Sequence, residues 1–213
     1  MTKKKKKNNT TISFVMISIF FLITYLMGYI KSDVIKLIIN MLFLGYVLYI
    51  YKDIFKKDIK DFKKNKKKCI KNILLNFLLF TGVILLSNFI MYHVFNGISV
   101  SENDYYLRLN FNSSKLVFAL LTILYYPLVE GIVFRKAIRD IIDDKWIFII
   151  FSSLVYYFFN IMFTSLSLYN VFVSLTYFFA MMVLSNMYYK NNNFLSTVIV
   201  MSLYNLITVL ITI

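Results

Sequence analysis

Histidine, proline and cysteine each occur once in this 213-residue chain, and glycine occurs five times. The single cysteine, Cys69, forbids an intrachain disulfide. One histidine, His93, and one cysteine cannot assemble a zinc site of the usual ligand count, so no metal and no cofactor is expected. A Ser-His-Asp arrangement would have to be built on His93 alone, and nothing in the sequence supports it. So little proline and glycine leaves few turns for a strand-rich fold. Acidic residues are also scarce, ten against 24 basic ones.

Apolar sequence is what the chain has in quantity. Sixty per cent of its residues are hydrophobic and the mean hydropathy is +0.70, well above the range of soluble domains. Apolar runs fall at residues 11–30, 34–51, 73–92, 116–139, 146–163, 171–189 and 194–213. Each reaches the roughly 18 residues that about 30 Å of hydrocarbon requires at about 1.5 Å per residue. Long unbroken runs exclude a membrane barrel, whose strands would alternate apolar and polar residues. The expected fold is therefore all-α, a polytopic helical membrane protein of about seven transmembrane helices. The first run is too long for a signal peptide and has no small-residue cleavage site, so it reads as a membrane helix.

Formal charge is +14, but the lysines cluster in short blocks that flank apolar runs, which reads as topology and not as nucleic-acid binding. With the N-terminus inside, the inner face collects Lys3 to Lys7, the ten lysines of residues 52–71, Arg135, Lys136, Arg139, Lys145 and Lys190, 20 of the 24 basic residues. Lys31, Lys36, Arg108 and Lys115 remain outside. This asymmetry predicts a multi-pass protein of the cell membrane, with the N-terminus cytoplasmic and the C-terminus outside. The inner blocks would also attract anionic lipid. The longest outer connection, residues 93–115, alternates apolar and polar residues over 105–112. It reads as a short strand, an interfacial segment or a lid over a ligand, with a plain loop as the simplest form. Asn112, Ser113 and Ser114 match a glycosylation acceptor but carry no weight.

Of the ten acidic residues only Glu130 interrupts an apolar run. An ionisable group within a membrane segment costs roughly 3 kcal/mol or more, which makes it a functional candidate by default, the alternative being a packing role. Pro127, three residues earlier, withholds a backbone N–H from the carbonyl of Ile123 and predicts a kink. Tyr125, Tyr126, Tyr156 and Tyr157 are candidates to line a cavity beneath Glu130. Asn40, Asn76, Asn88, Ser153, Thr176, Ser185 and Ser202 are explained by hydrogen bonding between helices.

The stretch Pro127-Leu128-Val129-Glu130-Gly131-Ile132-Val133-Phe134-Arg135 resembles the first signature of the CAAX prenyl protease and bacteriocin-processing (Abi) family, intramembrane glutamate proteases with a helical core. That signature is a Glu-Glu pair, three residues and Arg, with Phe before the Arg. The family's later motifs, Phe-x-x-x-His and His-x-x-x-Asn, fall at residues 156–160 and 201–205. The resemblance implies catalytic roles for Glu130, Arg135, Asn160 and Asn205, with Glu130 activating water. It divides the chain into residues 1–115, with three transmembrane helices, the basic loop and the outer loop, and residues 116–213, an Abi-like core of four. At about 1.5 Å per residue from the inner face, Glu130 lies ~15 Å deep, Asn160 ~22 Å and Asn205 ~17 Å, so the three should converge on one cavity.

Three positions depart from the family pattern: the second Glu is Gly131, and the two motif histidines are Asn160 and Met201. Without a Glu at 131, Arg135 must find another acceptor or snorkel to the inner interface. Asn160 exchanges no proton near neutral pH, and Met201 neither exchanges one nor donates a strong hydrogen bond. Losing a positioned proton-transfer or oxyanion group costs about 10²- to 10⁴-fold each. The expectation is a catalytically degenerate homologue that binds a membrane protein, peptide or lipid-linked partner, in bacteriocin immunity or cell-envelope regulation. Two alternatives stay open: an active CAAX-type endopeptidase using Glu130, and a small transporter using Glu130 as a proton relay, for which no inverted repeat is visible.

The orientation is open to test at Cys69. A membrane-impermeant thiol reagent should leave Cys69 unlabelled in intact cells and label it in opened vesicles; labelling in intact cells would reverse the topology.

Overall fold

The structure, a computed structural model, describes residues 3–95, 115–162 and 164–212. Every regular element among them is helical: α1 Lys3–Met27, α2 Asp33–Ile50, α3 Lys52–Lys64, α4 Lys66–Val94, α5 Lys115–Ile141, α6 Lys145–Ile161, α7 Leu168–Val173, α8 Leu175–Asn191 and α9 Phe194–Thr212. The expected strand or lid at 105–112, the acceptor at Asn112 and the outward Ile213 lie outside the described residues.

Among the described residues six helical stretches are long and apolar enough to cross a membrane, where seven spans were expected. The difference is α6, which has 17 residues. Asp144 sets its start by accepting the N–H groups of Trp146 and Ile147 at 2.9 Å, a side-chain cap that fixes the first turn. At about 1.5 Å per residue, α6 spans about 26 Å, slightly less than the hydrocarbon thickness.

α5 is wrapped by its neighbours. α1 packs along its C-terminal half, α6 and α9 along its other sides, and α8 backs both α6 and α4. Aromatic rings fill the junction of α1, α5 and α6: Phe134 meets Phe20 edge-on at 5.5 Å and Tyr156 at 5.1 Å, a geometry that adds to apolar contact. At the C-terminal end of α5, Thr10 and Ser13 of α1 donate to the backbone carbonyl and carboxylate of Asp140, which also pairs with Lys136.

The lysine-rich segment expected to be a loop is instead α3, an amphipathic helix. Tyr51, Ile54, Phe55, Asp58 and Phe62 recur at helical spacing and turn inward, while Lys52, Lys56, Lys57, Lys60, Lys63 and Lys64 stay exposed. Asp58 is only 2% exposed, and its carboxylate accepts the N–H of Phe194 at 2.8 Å, capping the start of α9. Asn193 donates to the carbonyl of Asp58 and accepts the N–H of Ser196. The preceding Asn192 takes a left-handed conformation, φ 47°, which asparagine tolerates better than most residues. The α8–α9 turn is thus pinned to α3 on both sides of the chain reversal.

Burial pushes the Asp58 carboxyl up from its ordinary 3.8 to about 6, against the opposing pull of the Phe194 N–H. A folded value above the unfolded one means that protonation favours the docked helix. Its stabilising contribution is full below 3.8 and is lost as pH rises through about 6. Asp58→Asn keeps an acceptor for Phe194 without a buried charge, so it should abolish this dependence and raise the melting temperature in detergent at neutral pH. A variant that still loses stability over that interval as the parent does would show that Asp58 is not its source.

Candidate functional site at the centre of helix α5

α5 is not a regular helix. Two stretches, Leu121–Tyr125 and Gly131–Ala137, are wound as π-helix, on either side of the short α-helical turn Tyr126–Glu130. Such wide turns are rare and often mark functional sites. The first has a local cause in Pro127. Within it the Tyr126 N–H donates to the carbonyl of Leu121, five residues back. One step on, the same pattern would give Thr122 the N–H of residue 127, and proline has none. The orphaned carbonyl is thus that of Thr122, and not that of Ile123 as expected for a regular helix. It is taken by the side-chain amide of Asn205, at 2.7 Å.

α6 runs antiparallel to α5 and reads it with one face. Ser152 donates to the carbonyl of Phe134, and one turn later Tyr156 is hydrogen-bonded to Glu130. One turn further, Asn160 is 8% exposed and donates to the backbone carbonyl of Tyr156 at 2.8 Å. By this register Asn160 stands level with Tyr126, a turn beyond the Glu130 carboxyl. Glu130 is 7% exposed, and its Oε2 has no hydrogen-bond partner among the described residues.

α9 supplies the opposite wall. Arg135 is wholly buried, so of the two alternatives open to it, another acceptor or the inner interface, it does not take the interface. Its Nη2 points at the sulfur of Met201, 3.6 Å away, while Nε and Nη1 lack hydrogen-bond partners among the described residues. The position of the family's second Glu is closed. A Cβ added at Gly131 would lie 2.9 Å from Cγ2 of Val198 and 3.3 Å from Nη1 of Arg135. Gly131 has ordinary helical angles, so it is needed for close approach and not for backbone freedom.

The structure therefore gathers Glu130, Arg135 and Tyr156, with Gly131, Val198 and Met201 against them. Asn160 hydrogen-bonds the backbone of Tyr156, and Asn205 binds a backbone carbonyl two turns above Glu130. His93 is exposed at the end of α4, its ring nitrogen bonded to the Phe89 carbonyl within its own helix. No group of three or more metal-ligating side chains occurs among the described residues. Sequence reading missed Ser152 and Val198, which look like ordinary residues of apolar helices. It named Tyr156 only as one tyrosine among four. Ser185 does bond across helices, to Ser152 at 2.9 Å, whereas Asn76 and Ser153 bond carbonyls of their own helices.

No curated protein and no solved structure matches the chain. A family does: residues 112–207 match the family described as Rce1-like, type II CAAX prenyl endopeptidase Rce1-like. The match runs from the start of α5 through most of α9 and contains every residue of the cluster just described. Over residues 112–207, just under half of its length, the chain is similar to the Rce1-like family of type II CAAX prenyl endopeptidases.

Proposed function

We propose that this chain is a non-hydrolysing member of its family. It binds a membrane protein, peptide or lipid-linked partner at the Glu130 and Arg135 cluster, in bacteriocin immunity or cell-envelope regulation. The supporting observation is the wall opposite Glu130. Where the family pattern has a second glutamate and a histidine, this chain has Gly131 with Val198 packed onto it and the thioether of Met201 against Arg135. None of the three transfers a proton, and a thioether is a weak hydrogen-bond acceptor. A buried guanidinium with unpartnered N–H groups, beside a carboxylate with an unpartnered oxygen, suits recognition of a polar group, because each unmade bond costs about 1–3 kcal/mol until a ligand supplies it.

The lysine face of α3 adds a second contact. Lys52, Lys56, Lys57, Lys60, Lys63 and Lys64 are exposed on the helix side away from the protein, and a cytoplasmic membrane surface supplies the anionic lipid that such a face attracts. The competing reading, an active endopeptidase, is favoured by one feature: Glu130 Oε2 remains free to take a proton from water.

Glu130→Gln separates the two readings, because it keeps the shape and removes the base. The purified full chain in lipid is offered candidate membrane peptides while the cellular phenotype is followed in parallel. The binding reading expects no cleavage by the parent and a phenotype retained in Glu130→Gln. Cleavage by the parent that disappears in the variant would refute it.

The closed wall makes its own prediction. Gly131→Ala should destabilise the protein by about 1–3 kcal/mol through overpacking. Val198→Ala, which removes the clashing methyl, should recover most of that loss when combined with it, so the two effects should not add. Additive effects in thermal unfolding would mean that Val198 does not close this position.

A further inference from the structure

In each wide segment of α5 one carbonyl accepts a hydrogen bond from another helix, but only the first is explained by local sequence. Pro127 accounts for Thr122 and its bond from Asn205. Gly131–Ala137 contains no proline, and a regular α-helix there would give the Phe134 carbonyl the N–H of Ile138. That N–H donates instead to the carbonyl of Arg135, and the Phe134 carbonyl is taken by the Ser152 hydroxyl.

A serine hydroxyl has one hydrogen. Ser152 spends its hydrogen on Phe134, so the 2.9 Å contact between the Ser152 and Ser185 oxygens is donated by Ser185. The relay is directional, from Ser185 of α8 to Ser152 of α6 to the Phe134 carbonyl of α5. Both serines are 0% exposed, so no lipid or water group substitutes for them, and a buried carbonyl without a donor is costly. Phe134 directly precedes Arg135, so the hold on its carbonyl fixes the peptide from which Arg135 projects.

We propose that Ser152, oriented by Ser185, is the positioning residue that keeps Gly131–Ala137 wide and thereby aims Arg135 at Met201, beside Glu130. In the wide form six of the seven residues are buried, Gly131, Ile132, Val133, Phe134, Arg135 and Ala137. Regular winding would carry part of that set out of the packed interior, Arg135 and Ala137 included. The assignment holds whether the cluster binds or hydrolyses its partner.

The test reads local protection in full-length protein in membranes, with Cys69→Ser removing the natural thiol. Ala137→Cys places a thiol in the segment, and Ala180→Cys places one in α8, outside it; both alanines are buried. N-ethylmaleimide should label neither when Ser152 is present. Ser152→Ala should raise labelling of Ala137→Cys by roughly tenfold, the scale of a local opening, and leave Ala180→Cys protected. Unchanged protection at 137 would overturn the proposal. An equal rise at both sites would overturn it too, since Ser152 would then serve general packing. If Ser152→Ala does not accumulate, Ser185→Ala is read in its place: the Phe134 bond survives but is no longer oriented, so a smaller rise confined to 137 is expected, and no rise would be decisive against the proposal.

Discussion

Within a bilayer, a backbone carbonyl without a donor has no water to turn to, and Pro127 creates that condition near the middle of α5. The consequences spread outward. The helix widens over Leu121–Tyr125, the orphaned carbonyl moves to Thr122, and Asn205 of α9 reaches across to bind it. Asn205 thereby ties α9 to α5 at Thr122, as Asp58 ties the start of α9 to α3. Between these ties lie Val198 and Met201, which face Gly131 and Arg135. The wall of the site is thus set by two polar contacts that take no part in the site itself.

Arg135 is the second constraint. A fully buried guanidinium whose Nη2 is aimed at a thioether is an expensive arrangement, and long side chains near helix ends normally escape to the interface. Here the escape is blocked. The segment carrying Arg135 is enclosed by α1, α6 and α9, and the Phe134 ring beside it is held by rings from α1 and α6. Packing that holds a charge in place without satisfying it is a pattern of sites that work on a ligand more than of sites that stabilise a fold.

Much of this was legible in the sequence, and what was not had physical reasons. Apolar runs located every long helix, because length and hydropathy are set by the bilayer. Glu130 and Pro127 stood out because charge and imino acid are rare in such runs. The π-wound segments did not, since residue periodicity over five to seven positions cannot separate 3.6 residues per turn from a wider winding. Ser152 and Val198 are common residues in apolar helices, and only a neighbouring backbone gives them a task. Asp58 was readable and was missed: Tyr51, Ile54, Phe55, Asp58 and Phe62 follow the i, i+3, i+4, i+7, i+11 pattern of a helix with one inward face. The density of lysines around them suggested a loop.

That inward face joins the lysine-rich surface of α3 to the site in few steps. Asp58 caps α9 at Phe194, and the Phe194 ring meets Phe55 of α3 edge-on at 4.7 Å. The same ring lies 3.8 Å from the position where a Cβ at Gly131 would sit. A displacement of α3 would therefore act on Phe194 through both a hydrogen bond and a ring contact, and Phe194 borders the space beside Arg135. Close-packed interiors transmit small shifts because they have no slack to absorb them. The lysines on the opposite face of α3 place the charged surface one helix diameter from this junction, so the helix that presents them is the one that holds the wall of the site in register.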